Sequence, residues 1–152
     1  MGWRSLCDTR DSEDRTARLM LMVLFDTSAW IEYLRDTGSH VCNAVDNRIS
    51  NAEPIATTDV VILELLSGVR RGQNRGQIWG LLNTCTMLPV RPLFEWEVAA
   101  DLYIACQANG FTPSNTNDLL IASVAIGKGI PVLAHDADFA RIAEISPLQL
   151  AA

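Results

Sequence analysis

Four carboxylates in this sequence stand where an alternating strand and helix fold would gather them: Asp26, Glu64, Asp118 and Asp136, with Asp138 close behind. Asp26 closes the apolar run at 21–25, and Asp136 follows the run at 130–134. Asp118 opens a third apolar run, 119–126. Glu64 is embedded in VVILELLSG, apolar around most of a helix circumference, so it is expected to be buried and to need a cation, a hydrogen-bond donor or a proton. Carboxylates sharing one crevice repel one another, and something positive must join them. Hard oxygen ligands with no histidine or cysteine cluster favour Mg²⁺ or Mn²⁺ over zinc. The chemistry such a site does best is phosphodiester hydrolysis: one ion lowers the pKa of a water, and a second, if it binds, stabilises the departing oxygen. Ser28, two residues beyond Asp26, is a candidate for positioning that water or a phosphate, alongside a plain role as a helix cap. Each acid also has a structural reading: Asp26 and Asp118 as cap or first-turn acids, Asp136 and Asp138 as turn residues. Their coincidence at fold-compatible positions is the signal.

Those positions follow from the elements around them. Residues 21–25 read as a buried strand, 29–35 and 41–49 as helices, and 54–57 as a second strand. Thr58 or Asp59 can cap a helix over 60–70. A short helix is expected at 77–82, a third strand at 87–90, and a helix over 93–108 with Pro92 suited to its first turn. The next helix begins at Asp118 and is expected to stop at Gly127 and Gly129, after which 130–134 form a strand. A brief helix then runs to Ala143, and residues 148–150 add an edge strand. This pattern is α/β: a single domain with a mainly parallel central sheet flanked by helices on both faces. Strand carboxyl ends share one edge of such a sheet, which is where chemistry collects.

The chain has 152 residues, 49% of them hydrophobic, enough for one compact core. Residues 1–20 mix arginines with acids and lack apolar periodicity, so they are expected to be a disordered extension, with the domain at 21–152. Met20 and Met22 precede the first strand, which fits a start-site extension. A net charge of −6 excludes binding of nucleic acid by bulk positive charge but not by cations held in an acidic site. Arg70, Arg71 and Arg75 cluster after the Glu64 helix and are candidates for holding nucleic-acid phosphates. Cys7, Cys42, Cys85 and Cys106 are scattered and are read as reduced thiols of a cytoplasmic protein. No run is long enough to cross a bilayer, so no membrane association is expected.

The stretches VLFDTSAWIEYL, VVILELLSG and NDLLIASVAIGKGIPVLAHDADFARI closely resemble, in order and spacing, the successive motifs of PIN-domain ribonucleases, specifically the VapC-type toxins of bacterial toxin–antitoxin modules. The resemblance spans about 22–145. It implies a PIN-like fold with metal-binding acids at Asp26, Glu64, Asp118 and Asp136, Asp138 as an additional acid, and Ser28 as the small hydroxyl residue after the first aspartate. It further implies endonucleolytic cleavage of structured RNA, a transfer RNA or a ribosomal RNA loop, dependent on one or two Mg²⁺ or Mn²⁺ ions and arresting translation. A VapB-type antitoxin whose tail blocks the acidic cleft with a basic side chain, and a homodimeric toxin, are the implied partners. Residues 1–20 have no counterpart, and His135 is assigned no catalytic role. Three rivals remain. A catalytically silent PIN-like binding module would lack the acid set. A haloacid-dehalogenase-like phosphatase wants a second aspartate where Ser28 stands, and a receiver-type phosphoacceptor wants a late lysine that has no convincing match.

Overall fold

The structure, a computed structural model, describes residues 5–69 and 74–152, with side chains from residue 13 onward. Its elements in chain order are α1 (Ser5–Leu21), β1 (Val23–Phe25), α2 (Thr27–Leu34), α3 (His40–Ser50), β2 (Ile55–Thr57), α4 (Asp59–Ser67), α5 (Arg75–Leu82), β3 (Thr86–Met87), α6 (Phe94–Ala108), α7 (Thr116–Lys128), β4 (Val132–Leu133) and α8 (Ala137–Glu144). The sheet is parallel throughout, in the order β3-β2-β1-β4. All residues of β1, β2 and β4 are buried, the mark of strands covered by helices on both faces. Leu24 registers with Ala56 on one side and Val132 on the other, so β1 is central.

Two consequences matter for the site. The carboxyl ends of β1 and β4 lie side by side, bringing Asp26 and Asp136 to one edge. In addition, α7 is buried from Asp118 through Ala125, so its first turn is fixed by the core rather than by solvent. The α/β architecture matches expectation, and local differences have simple causes. Where residues 1–20 were expected to be disordered, Ser5–Leu21 form α1, whose residues from Glu13 onward are exposed. β3 sits one residue earlier than expected and ends before Pro89, which cannot donate to a ladder. Gly127 does not stop α7; the helix runs to Lys128 and closes on Gly129, whose φ of +64° is the left-handed cap conformation. Pro92 lies outside α6, because Leu93 at φ +71° turns the chain into that helix. The expected edge strand is reduced to one bridge, Val132 to Leu150. Among the described residues, no helix is long and apolar enough to cross a membrane.

Candidate acidic metal centre

Asp26 and Asp136 are each the residue that caps the helix following their strand. One oxygen of Asp26 accepts from the Ser28 N–H at 2.9 Å and the Ser28 hydroxyl at 2.5 Å. Asp136 accepts from the Asp138 N–H at 2.9 Å. Capping thus occupies one oxygen of each aspartate. Ser28 is not itself the cap: its hydroxyl proton goes to Asp26, and it accepts the His135 N–H at 2.8 Å, joining the ends of β1 and β4. His135 is otherwise exposed, with its ring 3.9 Å from Glu32.

Asp118, in the first turn of α7, faces this edge with 5% of its surface exposed. Carboxylate oxygens of Asp118, Asp136 and Asp138 all lie within 4.8 Å of one another, close enough for one cation to touch all three. Asp26 and Glu64 stand outside that closest group. Asp138 is held by Ser114, whose N–H and hydroxyl donate to it at 2.7 and 2.8 Å. Glu64 is half-buried rather than sealed in the core, and its donors are neutral. Thr27 donates through its hydroxyl to Oε2, while the Asn115 and Asn117 amides each reach Oε1 at 3.0 Å.

The electrostatics of the cluster are unbalanced. Burial, reinforced by the charges of Asp26, Asp136, Glu64 and Asp138, pushes the Asp118 carboxyl up to about 8. Asp26, only 3% exposed, is also raised, by burial first and by Glu64, against the opposing bonds from Ser28. Asp26 Oδ1 and Asp118 Oδ2 are buried without a hydrogen-bond partner. Buried polar atoms normally have one. Two such carboxylate oxygens beside further acids, with donors that are all oxygen, fit a hard divalent cation.

Sequence reasoning missed the residues that position these acids: Thr27, Ser114, Asn115 and Asn117. For Ser114, Asn115 and Asn117 the only signal was the polar run PSNTN before Asp118, which reads first as a loop; Thr27 stood between Asp26 and Ser28 as an ordinary helix-start residue. Of the basic residues proposed for RNA, Arg75 is exposed at the start of α5, and Arg70 and Arg71 lie outside the described residues. A groove of about 440 Å³ reaches Glu64 and is otherwise lined by Ile31, Leu34, Arg35, Leu65 and Ile78 among others, without the four aspartates.

Residues 23–145 match the family described as the PIN domain. Ribonuclease VapC11 of Mycobacterium tuberculosis is 38% identical over 131 residues, covering 86% of this chain and 98% of that protein. Among solved structures, VapBC2 from Rickettsia felis bound to a DNA fragment from its promoter superposes with a TM-score of 0.67 at 20% identity, over 86% of this chain and 97% of that one. VapC20 of Mycobacterium tuberculosis, a sarcin-ricin loop cleaving toxin, gives a TM-score of 0.60 at 20% identity, over 84% and 98% of the two chains.

Proposed function

We propose, from the premise that this chain belongs to the PIN-domain family together with the VapC ribonucleases, that it is the toxin of a type II toxin–antitoxin module. It acts as an endoribonuclease dependent on Mg²⁺, with Mn²⁺ as a substitute, and cleaves structured RNA, a transfer RNA or ribosomal RNA, thereby inhibiting translation. The observation that carries this reading is the pair of partnerless buried oxygens, Asp26 Oδ1 and Asp118 Oδ2, among carboxylates that otherwise only repel. Asp26, Glu64, Asp118, Asp136 and Asp138 would hold one or two ions. A cation bound there supplies Lewis acidity for water and offsets phosphate charge.

The protein's own groups then do three things. Capping bonds at Asp26 and Asp136 fix one oxygen and leave the other for the cleft. Ser28 ties the two strand ends together, so both aspartates move as one body; any direct contact of Ser28 with water or phosphate would use its remaining lone pair. Arg75, with Arg70 and Arg71, supplies the positive charge that an acidic protein needs to hold RNA. The partner is a VapB-type antitoxin that closes the acidic cleft with a basic side chain, and the toxin is a homodimer acting in the cytoplasm. A silent binding module has no use for partnerless buried acids.

The test is incubation of purified protein with transfer and ribosomal RNA in Mg²⁺, Mn²⁺ or EDTA, with Asp26→Ala in parallel. Discrete fragments in Mg²⁺ and Mn²⁺, absent with EDTA and with the variant, are expected. Cleavage indifferent to EDTA, or equal in Asp26→Ala, overturns the mechanism.

A further inference from the structure

Glu64 differs from the other acids of the cleft in having its hydrogen bonds supplied by side chains from two separate elements. Oε1 accepts both the Asn115 and the Asn117 amide at 3.0 Å, and Oε2 accepts the Thr27 hydroxyl. A carboxylate offers about four lone-pair sites, two on each oxygen. The amides therefore saturate Oε1, and a single acceptor position remains, on Oε2. No cation among the described residues forms an ion pair with Glu64. That choice of donors has a chemical reason: lysine or arginine would hold the carboxylate but also compete with a divalent ion for the cleft, whereas an amide donates without adding charge.

The amides are also tied to the helix that delivers Asp118. Asn115 caps α7 through Oδ1, which accepts the Asn117 N–H at 3.0 Å, while its Nδ2 reaches Glu64. Asn117 precedes Asp118 in the same first turn. One short segment thus starts the helix, aims the buried acid and orients the acid of the neighbouring α4.

We propose that Asn115 and Asn117 are positioning residues of the cleavage reaction, acting through Glu64, whose one open acceptor position they leave on Oε2. This rests on the ribonuclease reading above. A role confined to capping makes a different prediction, and Asn115→Asp separates the two. Aspartate caps a helix as well as asparagine does and its charge suits the first turn, so a capping role leaves melting and cleavage unchanged. The positioning role exchanges a donor for an acceptor facing Glu64. Loss of a partner that orients a metal-site carboxylate lowers kcat by about 10- to 100-fold, with KM for RNA held within roughly twofold. Asn117→Leu, which removes the other amide without adding charge, is expected to do the same.

Because both act through Glu64, each substitution in a Glu64→Gln background costs less than about twofold more. A readout independent of activity is the side-chain amide ¹H–¹⁵N spectrum of the metal-free protein, in which both asparagine signals move in Glu64→Gln. Wild-type cleavage sensitive to EDTA is the control for the underlying reading; its absence removes that reading, while the amide spectra still test the contacts. With the control in place, wild-type rates in Asn115→Asp, losses that multiply with Glu64→Gln, or unmoved amide signals would each overturn the proposal.

Discussion

The two ends of α7 each lie beside a buried carboxylate, and the two are treated in opposite ways. Asp118, in the first turn, is 5% exposed, surrounded by other acids, and pushed up to about 8. Glu95, from α6, lies beside Gly127 near the last turn and is 2% exposed. Burial pushes Glu95 up as well, but Arg91 outweighs it: the guanidinium approaches Oε1 at 2.6 Å and the Arg91 N–H donates to Oε2 at 2.8 Å, so the carboxyl is held below its usual range. About 14 Å of helix separates the two positions. Burial alone therefore does not mark a functional acid; what marks it is whether the chain supplies the opposing charge. Glu95 is provided for, and Asp118 is not.

The largest effect that sharpens this contrast is expected from Asp118→Asn. Under the proposed mechanism it removes one of the charges that would hold the cation, so RNA cleavage should fall about 10³-fold. The metal-free protein should meanwhile melt higher at pH 9, where the wild-type carboxyl is ionised and buried. A variant that cleaves normally, or that melts lower, would put Asp118 in the same class as Glu95.

At the other end, Arg91→Ala removes the half-exposed guanidinium from Glu95 but keeps the backbone N–H on Oε2, and should cost about 1–2 kcal/mol of stability by urea unfolding. Cleavage per folded molecule should stay near wild type. A loss of activity without a loss of stability would erase the distinction between the two ends.

The third test is pH. The Asp118 carboxyl, ordinarily at 3.8, rises to about 8 when folded, so its protonated form favours the native state. That contribution is fully present below about pH 4 and is lost as pH climbs through about 8. The melting temperature of the metal-free protein should decline by several degrees between pH 5 and pH 9, and Mg²⁺ should recover most of it at the alkaline end. Glu95, with its pKa lowered, contributes in the opposite sense, losing stability only in acid. A metal-free profile flat through neutrality would show that Asp118 is already balanced from within.

The smallest effect is expected at Gly127. A methyl group there would meet Arg91, Phe94 and Glu95 at 3.8–4.0 Å, ordinary contact distance, inside a helix. Gly127→Ala should stabilise by about 0.5–1 kcal/mol without altering cleavage. Destabilisation would mean that the Arg91–Glu95 pair is less tolerant than its geometry implies.

The contrast also explains what the sequence could and could not disclose. Asp26 and Asp136 were legible because each terminates an apolar run that reads as a strand, and a parallel sheet aligns such ends. Asp118 was legible because it opens a long apolar helix. Glu64 stood out against its apolar neighbours, but the donors that satisfy it come from residues 51 and 53 positions away, a proximity that local pattern cannot supply. Glu95 was read only as part of a helix; its i,i+4 spacing from Arg91 was visible, its burial was not. The helix at Ser5–Leu21 escaped because its charges show no single apolar face, and of the two glycines expected to stop α7 only Gly129, in the left-handed conformation, does so, while Gly127 stays helical.

Asp26 and Asp136 each divide their two oxygens between starting a helix and facing the cleft. Seen genetically, that division makes silencing cheap. Asparagine caps a helix as well as aspartate, so a single base change at either codon would take one charge from the cleft while leaving the fold and its outer surfaces intact. A population under pressure to escape the enzyme would be expected to accumulate such alleles, encoding full-length proteins still able to engage whatever binds those outer surfaces.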